Sequence, residues 1–299
     1  MGIASKLLLT TIFAAPPLGA QGNINADLRD IGDLRRYIHK TASYNEEIIP
    51  RKLVASMARQ DQERVAATAQ IKCPGGRDTS AQVTLKDNLI TTAAHAFTDR
   101  DTCKQVNDPK TCSFVIRIAG KTLVYPIADR VAQGFQCPTL PRPRDDWAVV
   151  RLKYSVAGVE PYLIDENKAR NLAIGDRVVT VSHSMDFNRT YAKDGAMILP
   201  KHYGTCAVAK LYGRPVPYFM SAPCGCSEGC SGGSLLTDEA RPALLGVVSS
   251  NAETDEQRNK EINTGKPVKV PYGELTGTTY FVPFTGDFLR AVKKAADGP

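Results

Sequence analysis

The stretch G-C-S-G-G at residues 229–233 places one serine, Ser231, among four small residues. Glycines on both sides allow a tight backbone turn that can expose the serine hydroxyl. A serine hydroxyl is a weak nucleophile at neutral pH, and it needs an imidazole to take its proton and a carboxylate to orient that imidazole. If Ser231 is a nucleophile, the imidazole and the carboxylate must come from elsewhere in the chain.

Two further segments offer those groups. T-A-A-H ends at His95, and D-W-A-V-V begins at Asp146. Asp146 follows His95 by 51 residues and precedes Ser231 by 85, so only folding can bring the three together. The order histidine, aspartate, serine is that of the chymotrypsin fold and differs from that of subtilisin and of the α/β-hydrolases.

From about Val65 to the C-terminus the chain resembles the trypsin-like, or chymotrypsin-fold, serine peptidases, and in particular their secreted bacterial, glutamyl-endopeptidase-like branch. Four segments carry the resemblance in the order of that family: L-I-T-T-A-A-H, D-D-W-A-V-V-R-L, G-C-S-G-G and L-L-G-V-V-S. The resemblance implies an all-β fold of two β-barrels with a C-terminal helix, and it implies peptide hydrolysis through an acyl-enzyme.

The resemblance also assigns roles to single residues. His95 would be the general base, Ser231 the nucleophile and Asp146 the orienting acid. Asp146 is preferred to Asp145 because the family places the acid immediately before a strand. The backbone N–H groups of Gly229 and Ser231 would form the oxyanion hole.

Substrate binding is expected at Gly225 and along Ser249, Ser250 and Asn251. Ser249 matches the family serine that hydrogen-bonds the buried aspartate, and the three-residue run would pair with substrate as an added strand. Gly225 stands where trypsin has the aspartate that receives lysine or arginine, so no strong basic preference is expected. Val248 stands where glutamyl peptidases have a histidine, which leaves small or apolar substrate residues by elimination.

One position departs from trypsin. The residue before the nucleophile, an aspartate that captures the new N-terminus in trypsin, is Cys230 here. A cysteine cannot pair with an ammonium group in that way. The hypothesis is that a disulfide through Cys230 holds the oxyanion loop, so that activity does not depend on a freed N-terminus.

Composition and cysteine content indicate an exported globular protein. The chain has 299 residues, of which 42% are hydrophobic and 23% charged. Residues 1–20 contain one charge, an apolar run and a small terminal residue, which predicts a signal peptide and a secreted or periplasmic location without stable membrane insertion. The net charge of +7 is spread among acids and bases, so nucleic acid is not an expected partner.

Eight cysteines in an exported chain favour disulfides. Cys103 and Cys112 form the best local pair by spacing, and Cys206 is expected to join the cluster formed by Cys224, Cys226 and Cys230. The cluster, with Cys206 or His202, could instead supply four zinc ligands. Disulfides are preferred because C-x-C-x3-C is not a common zinc spacing, so neither metal nor cofactor is expected.

The chain divides into three parts by pattern. Residues 1–20 form the signal peptide, residues 21–64 a helical N-terminal extension or propeptide, and residues 65–299 the peptidase domain. The extension has apolar residues at helical intervals between Leu28 and Ile38, whereas alternation from Val65 onward predicts a strand. Further strands are predicted at residues 82–85, 89–92, 114–118, 122–125, 147–152, 177–182, 218–221, 244–249 and 279–282, with a helix capped by Thr285 after them.

Two other functions compete with an endopeptidase that acts on protein or peptide substrates. A catalytically silent protein of the same fold could bind a partner through its cleft, and an esterase could use the same three residues. Reaction with a fluorophosphonate separates the first from an enzyme, and turnover of peptides against esters separates the second. His39, His183 and His202 have no catalytic setting in the sequence and are interpreted as structural.

Overall fold

The protein is described by a computed structural model over residues 51–74, 78–100, 102–137, 143–184, 199–213, 216–217, 219–222, 224–227, 229–252 and 278–298. The predicted signal peptide, the helical pattern between Leu28 and Ile38, and His39 lie outside these residues. Among the described residues, no helix combines the length and the apolar composition needed to cross a bilayer.

Strands dominate the described residues. They are β1 (Lys52–Leu53), β2 (Thr68–Lys72), β3 (Thr79–Val83), β4 (Leu89–Thr92), β5 (Ser113–Ile118), β6 (Lys121–Gln133), β7 (Ala148–Leu152), β8 (Arg177–His183), β9 (Lys201–Ala207), β10 (Lys210–Tyr212), β11 (Phe219–Ala222), β12 (Ser234–Thr237), β13 (Leu244–Ala252) and β14 (Thr278–Pro283). The α-helices are α1 (Arg59–Arg64), α2 (Glu166–Arg170) and α3 (Gly286–Asp297), and short 3-10 turns lie at Val54–Ser56, Ala94–Ala96, Pro109–Thr111 and Pro143–Asp145.

The first sheet is a closed barrel of six antiparallel strands in the order β2-β3-β4-β7-β6-β5. Alternate residues of these strands point inward and bury apolar side chains, which include Ile71, Phe114, Ile116 and Val149. The alternation that begins at Val65 therefore predicted β2 correctly, although the strand begins three residues later. Closure of this sheet leaves no free edge between its first and last strands.

The second sheet has eight strands in the order β1-β9-β8-β12-β13-β14-β11-β10. Strands β1, β9, β10 and β12 were not predicted from sequence, and β1 lies in the segment expected to be a helical extension. In β9 the buried positions are His202, Gly204 and Cys206. This period-two pattern consists of polar and small residues rather than aliphatic ones, so hydrophobic alternation did not indicate the strand. The expected all-β fold with paired sheets is confirmed, and the first sheet is the one that closes.

The C-terminal helix α3 is confirmed between Gly286 and Asp297. Phe288, Leu289 and Val292 are buried as predicted, and the Phe288 ring stacks on Trp147 at a centroid distance of 4.8 Å. The expected side-chain cap is wrong, because Thr285 Oγ1 donates instead to the carbonyl oxygen of Pro217 at 2.8 Å. Through the stacking of Phe288 on Trp147, the helix packs on the residue that follows Asp146.

All eight cysteines form disulfides in four pairs: Cys73–Cys112, Cys103–Cys137, Cys206–Cys224 and Cys226–Cys230. The expected Cys103–Cys112 pair is wrong. Strands β2 and β5 pair Lys72 with Ser113, and this register sets the adjacent cysteines 4.3 Å apart at their Cα atoms. Short sequence separation was a poor guide because strand register decides which cysteines face each other.

Candidate active site

Pairing of strands β4 and β7 brings His95 and Asp146 together. Thr92 pairs with Ala148, so the turn that follows β4 lies beside the residue that precedes β7. His95 sits in the 3-10 turn Ala94–Ala96, and its backbone N–H donates to Asp146 Oδ1 at 3.0 Å. The sequence interval of 51 residues is therefore closed by two neighbouring strands of one barrel.

The Asp146 carboxylate is fully buried and receives several donors. His95 Nδ1 lies 2.8 Å from Oδ2, and Ser249 Oγ donates to the same oxygen at 2.8 Å. Burial alone would raise the pKa of Asp146, but the nearby Arg100 and His95 and the bonds from His95 and Ser249 outweigh burial and hold that pKa below its ordinary value. The carboxylate therefore stays ionised and can orient the imidazole.

Arg100 is a member of this group that the sequence did not indicate. Its Nη2 atom contacts Asp146 Oδ2, lies 2.8 Å from His95 Nδ1 and donates to the Ser249 carbonyl oxygen at 2.5 Å. Nδ1 can donate its proton to Asp146 or, in the other tautomer, accept from Arg100, so the arginine competes for the same nitrogen. An arginine five residues after a histidine carries no recognisable sequence signal.

Ser80 in β3 holds the Ser231 loop, residues 229–233, through two hydrogen bonds. The Ser80 N–H donates to the Ser231 carbonyl oxygen at 2.7 Å, and its Oγ donates to the Gly229 carbonyl oxygen at 2.9 Å. Gly232 has a φ of +77°, and a Cβ there would overlap the Ser80 carbonyl oxygen and lie 3.0 Å from the backbone nitrogen of Ala93. The Ser231 loop thus packs directly against the segment that carries His95.

Ser231 is partly exposed while its neighbours in the loop are buried. The N–H groups of Cys230, Gly232 and Gly233 donate to carbonyls within this region. Those of Gly229 and Ser231 donate to no backbone carbonyl of the described residues. His95 Nδ1 lies within hydrogen-bonding distance of both carboxylate oxygens of Asp146.

The expected substrate-binding residues lie in the second sheet. Ser249 occupies an irregularity in β13 where the register against β14 shifts, which turns its hydroxyl toward Asp146. Ser250 follows with a buried hydroxyl that has no hydrogen-bond partner within the part of the chain that the structure describes, and Asn251 pairs with Thr279 through the backbone. Gly225 is buried and has a φ of +60°.

Two other histidines, His183 and His202, have contacts separate from the His95–Asp146 pair. His183 is buried, and its Nδ1 lies 2.5 Å from the Leu199 carbonyl oxygen. Burial, and then the charge of Lys201, lower the pKa of His183 to about 3, so it stays neutral. His202 Nδ1 lies 3.2 Å from Ser184 Oγ.

No family model and no curated protein sequence matches the chain. Solved structures do match it. A thermostable serine protease, AL20, from an extremophilic microorganism aligns over 79% of this chain and 99% of its own, with 13% identity and a TM-score of 0.53. A Glu endopeptidase aligns over 84% and 100%, with 13% identity and a TM-score of 0.60, and the protease Anisep from Arthrobacter nicotinovorans over 78% and 97%, with 14% identity and a TM-score of 0.54.

These neighbours and the two sheets define a chymotrypsin-like fold. A Glu endopeptidase is among the solved structures that share this fold with the chain. At 13–14% identity the likeness is one of fold, so the activity has to be argued from the residues of this chain.

Replacing Arg100 with glutamine is expected to lower the free energy of unfolding by about 1–3 kcal/mol at neutral pH, because a hydrogen bond to a buried carboxylate is lost. The lowered pKa of Asp146 stabilises the folded state above the unfolded value near 3.8, and this contribution is lost as the pH falls below that value. Thermal unfolding should therefore separate variant and wild type most at neutral pH and least near pH ~2.

The matched control is Arg117→Gln, which removes an exposed arginine from β5. Exposed ion pairs contribute about 0–1 kcal/mol, so this control should unfold close to wild type at every pH. An Arg100→Gln protein as stable as the control would show that Arg100 does not stabilise the Asp146 carboxylate.

Proposed function

We propose that the protein is a secreted serine endopeptidase that hydrolyses peptide bonds through an acyl-enzyme on Ser231, with His95 as general base and Asp146 as orienting acid. The observation that carries the proposal is the 2.8 Å contact between His95 Nδ1 and a fully buried Asp146 that also accepts from Ser249. This arrangement fixes the imidazole so that Nε2 faces away from the acid.

In the proposed reaction, Ser231 Oγ forms a bond to the carbonyl carbon of the substrate while its proton passes to His95 Nε2. The carbonyl oxygen becomes an oxyanion, which the N–H groups of Gly229 and Ser231 stabilise. The tetrahedral intermediate collapses when Nε2 returns the proton to the leaving amine, and an acyl-enzyme remains. A water molecule then attacks the acyl carbon while His95 Nε2 takes its proton, and the acid product leaves as Nε2 returns the proton to Ser231 Oγ.

The loop of Ser231 packs against the segment that carries His95, since a Cβ on Gly232 would lie 3.0 Å from the Ala93 nitrogen. Hydrogen bonds between a catalytic serine and histidine are often long until substrate binds, so a partly exposed Ser231 beside this segment is compatible with the mechanism. The backbone of Ser249, Ser250 and Asn251 would bind substrate as an added strand. Arg100 must leave the Ser249 carbonyl oxygen for that strand to form.

The proposed division of the chain is residues 1–20 as a signal peptide, 21–64 as an extension or propeptide, and 65–299 as the peptidase domain. The four disulfides support export, since such bonds persist in oxidising compartments. Residues 51–64 pack in the same compact unit as the domain, because β1 pairs with β9. The proposed extension therefore includes a portion integrated into the second sheet.

A fluorophosphonate probe tests the function. The wild-type protein should take up one label, and mass analysis of its peptides should place that label on Ser231. Cleavage of peptides faster than of matched esters would support an endopeptidase, whereas preferential turnover of esters would favour an esterase. A folded protein that takes up no label would be a binding protein of this fold.

Peptide-library profiling is expected to show poor cleavage after lysine and arginine. Arg51 Nη1 lies 3.4 Å from the carbonyl oxygen of Gly225, the residue proposed for the base of the specificity pocket. A cationic substrate side chain at this carbonyl would be repelled by the positive charge of the Arg51 guanidinium. Small or apolar residues are the proposed preference, and rapid cleavage after arginine would contradict it.

Removing the Cys226–Cys230 bridge by substituting both residues with alanine is expected to lower kcat by about 10²-fold, because displacing reacting groups by about 1 Å costs that much. The bridge spans Gly229, whose N–H is a proposed oxyanion donor. The control is alanine at both Cys73 and Cys112, which lie in the first barrel and should affect stability more than kcat. An unchanged kcat in the loop variant would refute the proposed role of Cys230.

A further inference from the structure

Arg51 is a buried arginine at the entry to the second sheet. It is 8% exposed and directly precedes β1, the two-residue strand that pairs with β9. Its side chain runs past Gly204, where a Cβ would lie 2.9 Å from Arg51 Cγ. Arginine is seldom buried unless its guanidinium is hydrogen-bonded, so its partners indicate what it does.

The guanidinium binds three separate segments. Nη2 donates to Ser182 Oγ at 2.6 Å and to the His202 carbonyl oxygen at 3.2 Å. Nη1 lies 3.4 Å from both Ser184 Oγ and the Gly225 carbonyl oxygen. One side chain thus joins the end of β8, the neighbouring strand β9 and the start of the loop that leads to Ser231.

The end of β8 forms a wall of the Ser231 loop. A Cβ on Gly233 would lie 2.6 Å from Ser182 Cβ, and one on Gly229 would lie 3.4 Å from Ser184 Cα. Gly229 and Gly233 flank Ser231 on either side. Any displacement of Ser182 or Ser184 is therefore transmitted to the backbone that presents the nucleophile.

We propose that Arg51 is a positioning residue for the Ser231 loop, and that the working enzyme retains it. The guanidinium holds the end of β8 and the Gly225 carbonyl in fixed relation, which keeps the proposed oxyanion donors in place. Any removal of the N-terminal extension must then end before Arg51. The hydrogen bonds of Arg51 to these segments are called the clamp. The inference rests on the proposed function, because it states that the clamp serves the acylation of Ser231.

The test compares Arg51→Gln, Arg51→Lys and Arg51→Ala with Lys52→Gln, a change at an exposed position of the same segment. For Arg51→Gln, the rate of Ser231 labelling by fluorophosphonate and kcat are expected to fall about 10- to 100-fold, with KM changing less. Lysine supplies the charge without the planar fork and should restore only part of the rate. Lys52→Gln should match wild type.

Chemical rescue separates positioning from general destabilisation. Methylguanidinium added to Arg51→Ala should recover part of the labelling rate, and it should not affect Lys52→Gln. Hydrogen exchange provides a readout that does not require activity: amides of residues 224–233 should exchange faster in Arg51→Gln than in wild type. N-terminal sequencing of secreted protein should find a terminus at or before Arg51.

The outcomes are distinguishable. If wild type does not react with the probe, the proposed function fails, and faster exchange in Arg51→Gln would still support the clamp. Folded Arg51 variants that react at the wild-type rate, or exchange of residues 224–233 that is unchanged, would overturn the inference. A secreted, active protein that begins after Arg51 would also overturn it.

Discussion

A Ser231→Ala variant is expected to lose about 10⁶-fold in kcat toward a peptide substrate and to take up no fluorophosphonate. The variant removes only the oxygen that attacks the carbonyl carbon. Its backbone contacts, which include the bond from Ser80 N–H to the residue 231 carbonyl oxygen, are retained. The free energy of unfolding should consequently change by less than about 1 kcal/mol, as expected at a partly exposed position.

Progress curves with purified protein and the same substrate measure the loss of kcat, and thermal unfolding measures the stability. Ser155→Ala is the matched control, because it makes the same change in an exposed connection away from the loop. Activity that survives in Ser231→Ala would mean that another residue is the nucleophile. Equal losses in both variants would indicate a general defect of the preparations.

An Asp146→Asn variant is expected to lower kcat about 10⁴-fold while Ser231 and its loop stay in place. The amide keeps the size of the carboxylate but carries no charge to stabilise the imidazolium that forms during the reaction. Its N–H can also donate a hydrogen bond to His95 Nδ1, which would hold the imidazole in the wrong tautomer, with the proton on Nε2. Ser249 and Arg100, which both donate to Asp146, would lose the charge of their acceptor.

The measurement is kcat over a range of pH, since the loss should shrink at high pH where hydroxide can assist deprotonation of the serine. Asp145→Asn is the control, because Asp145 is adjacent in sequence but its carboxylate is partly exposed and lies 3.9 Å from Arg144 Nε. An Asp145→Asn loss as large as that of Asp146→Asn would reverse the assignment of the acid.

The sequence predicted that His95 and Asp146 lie together, because each lies at the end of a short motif with a defined structure. The motif at His95 follows a strand, and that at Asp146 precedes one, so strand pairing alone brings them together. Ser249 was also placed correctly beside Asp146. In each case local pattern and tertiary contact agree.

Arg100 and Arg51 could not be predicted from the sequence because their partners are far apart along the chain. Arg51 binds groups 131 to 174 residues away, and Arg100 binds groups 46 and 149 residues away. Neither arginine lies in a motif or a periodic pattern. The Cys73–Cys112 disulfide escaped prediction for a related reason, since the register between β2 and β5 decides the partner of Cys73. The expected disulfides of Cys206 with the cluster and through Cys230 are confirmed.

The proposed reacting groups are shared between the two sheets, with His95 and Asp146 beside the closed barrel and Ser231 and Ser249 beside the other sheet. The proposed hydrolysis would therefore require both sheets to be formed. A nascent polypeptide or a misfolded intermediate with only one sheet formed would hold half of the proposed reacting groups and would not cleave neighbouring chains. Two inert fragments divided between the sheets would regain turnover only on reassociation, which suits a split reporter.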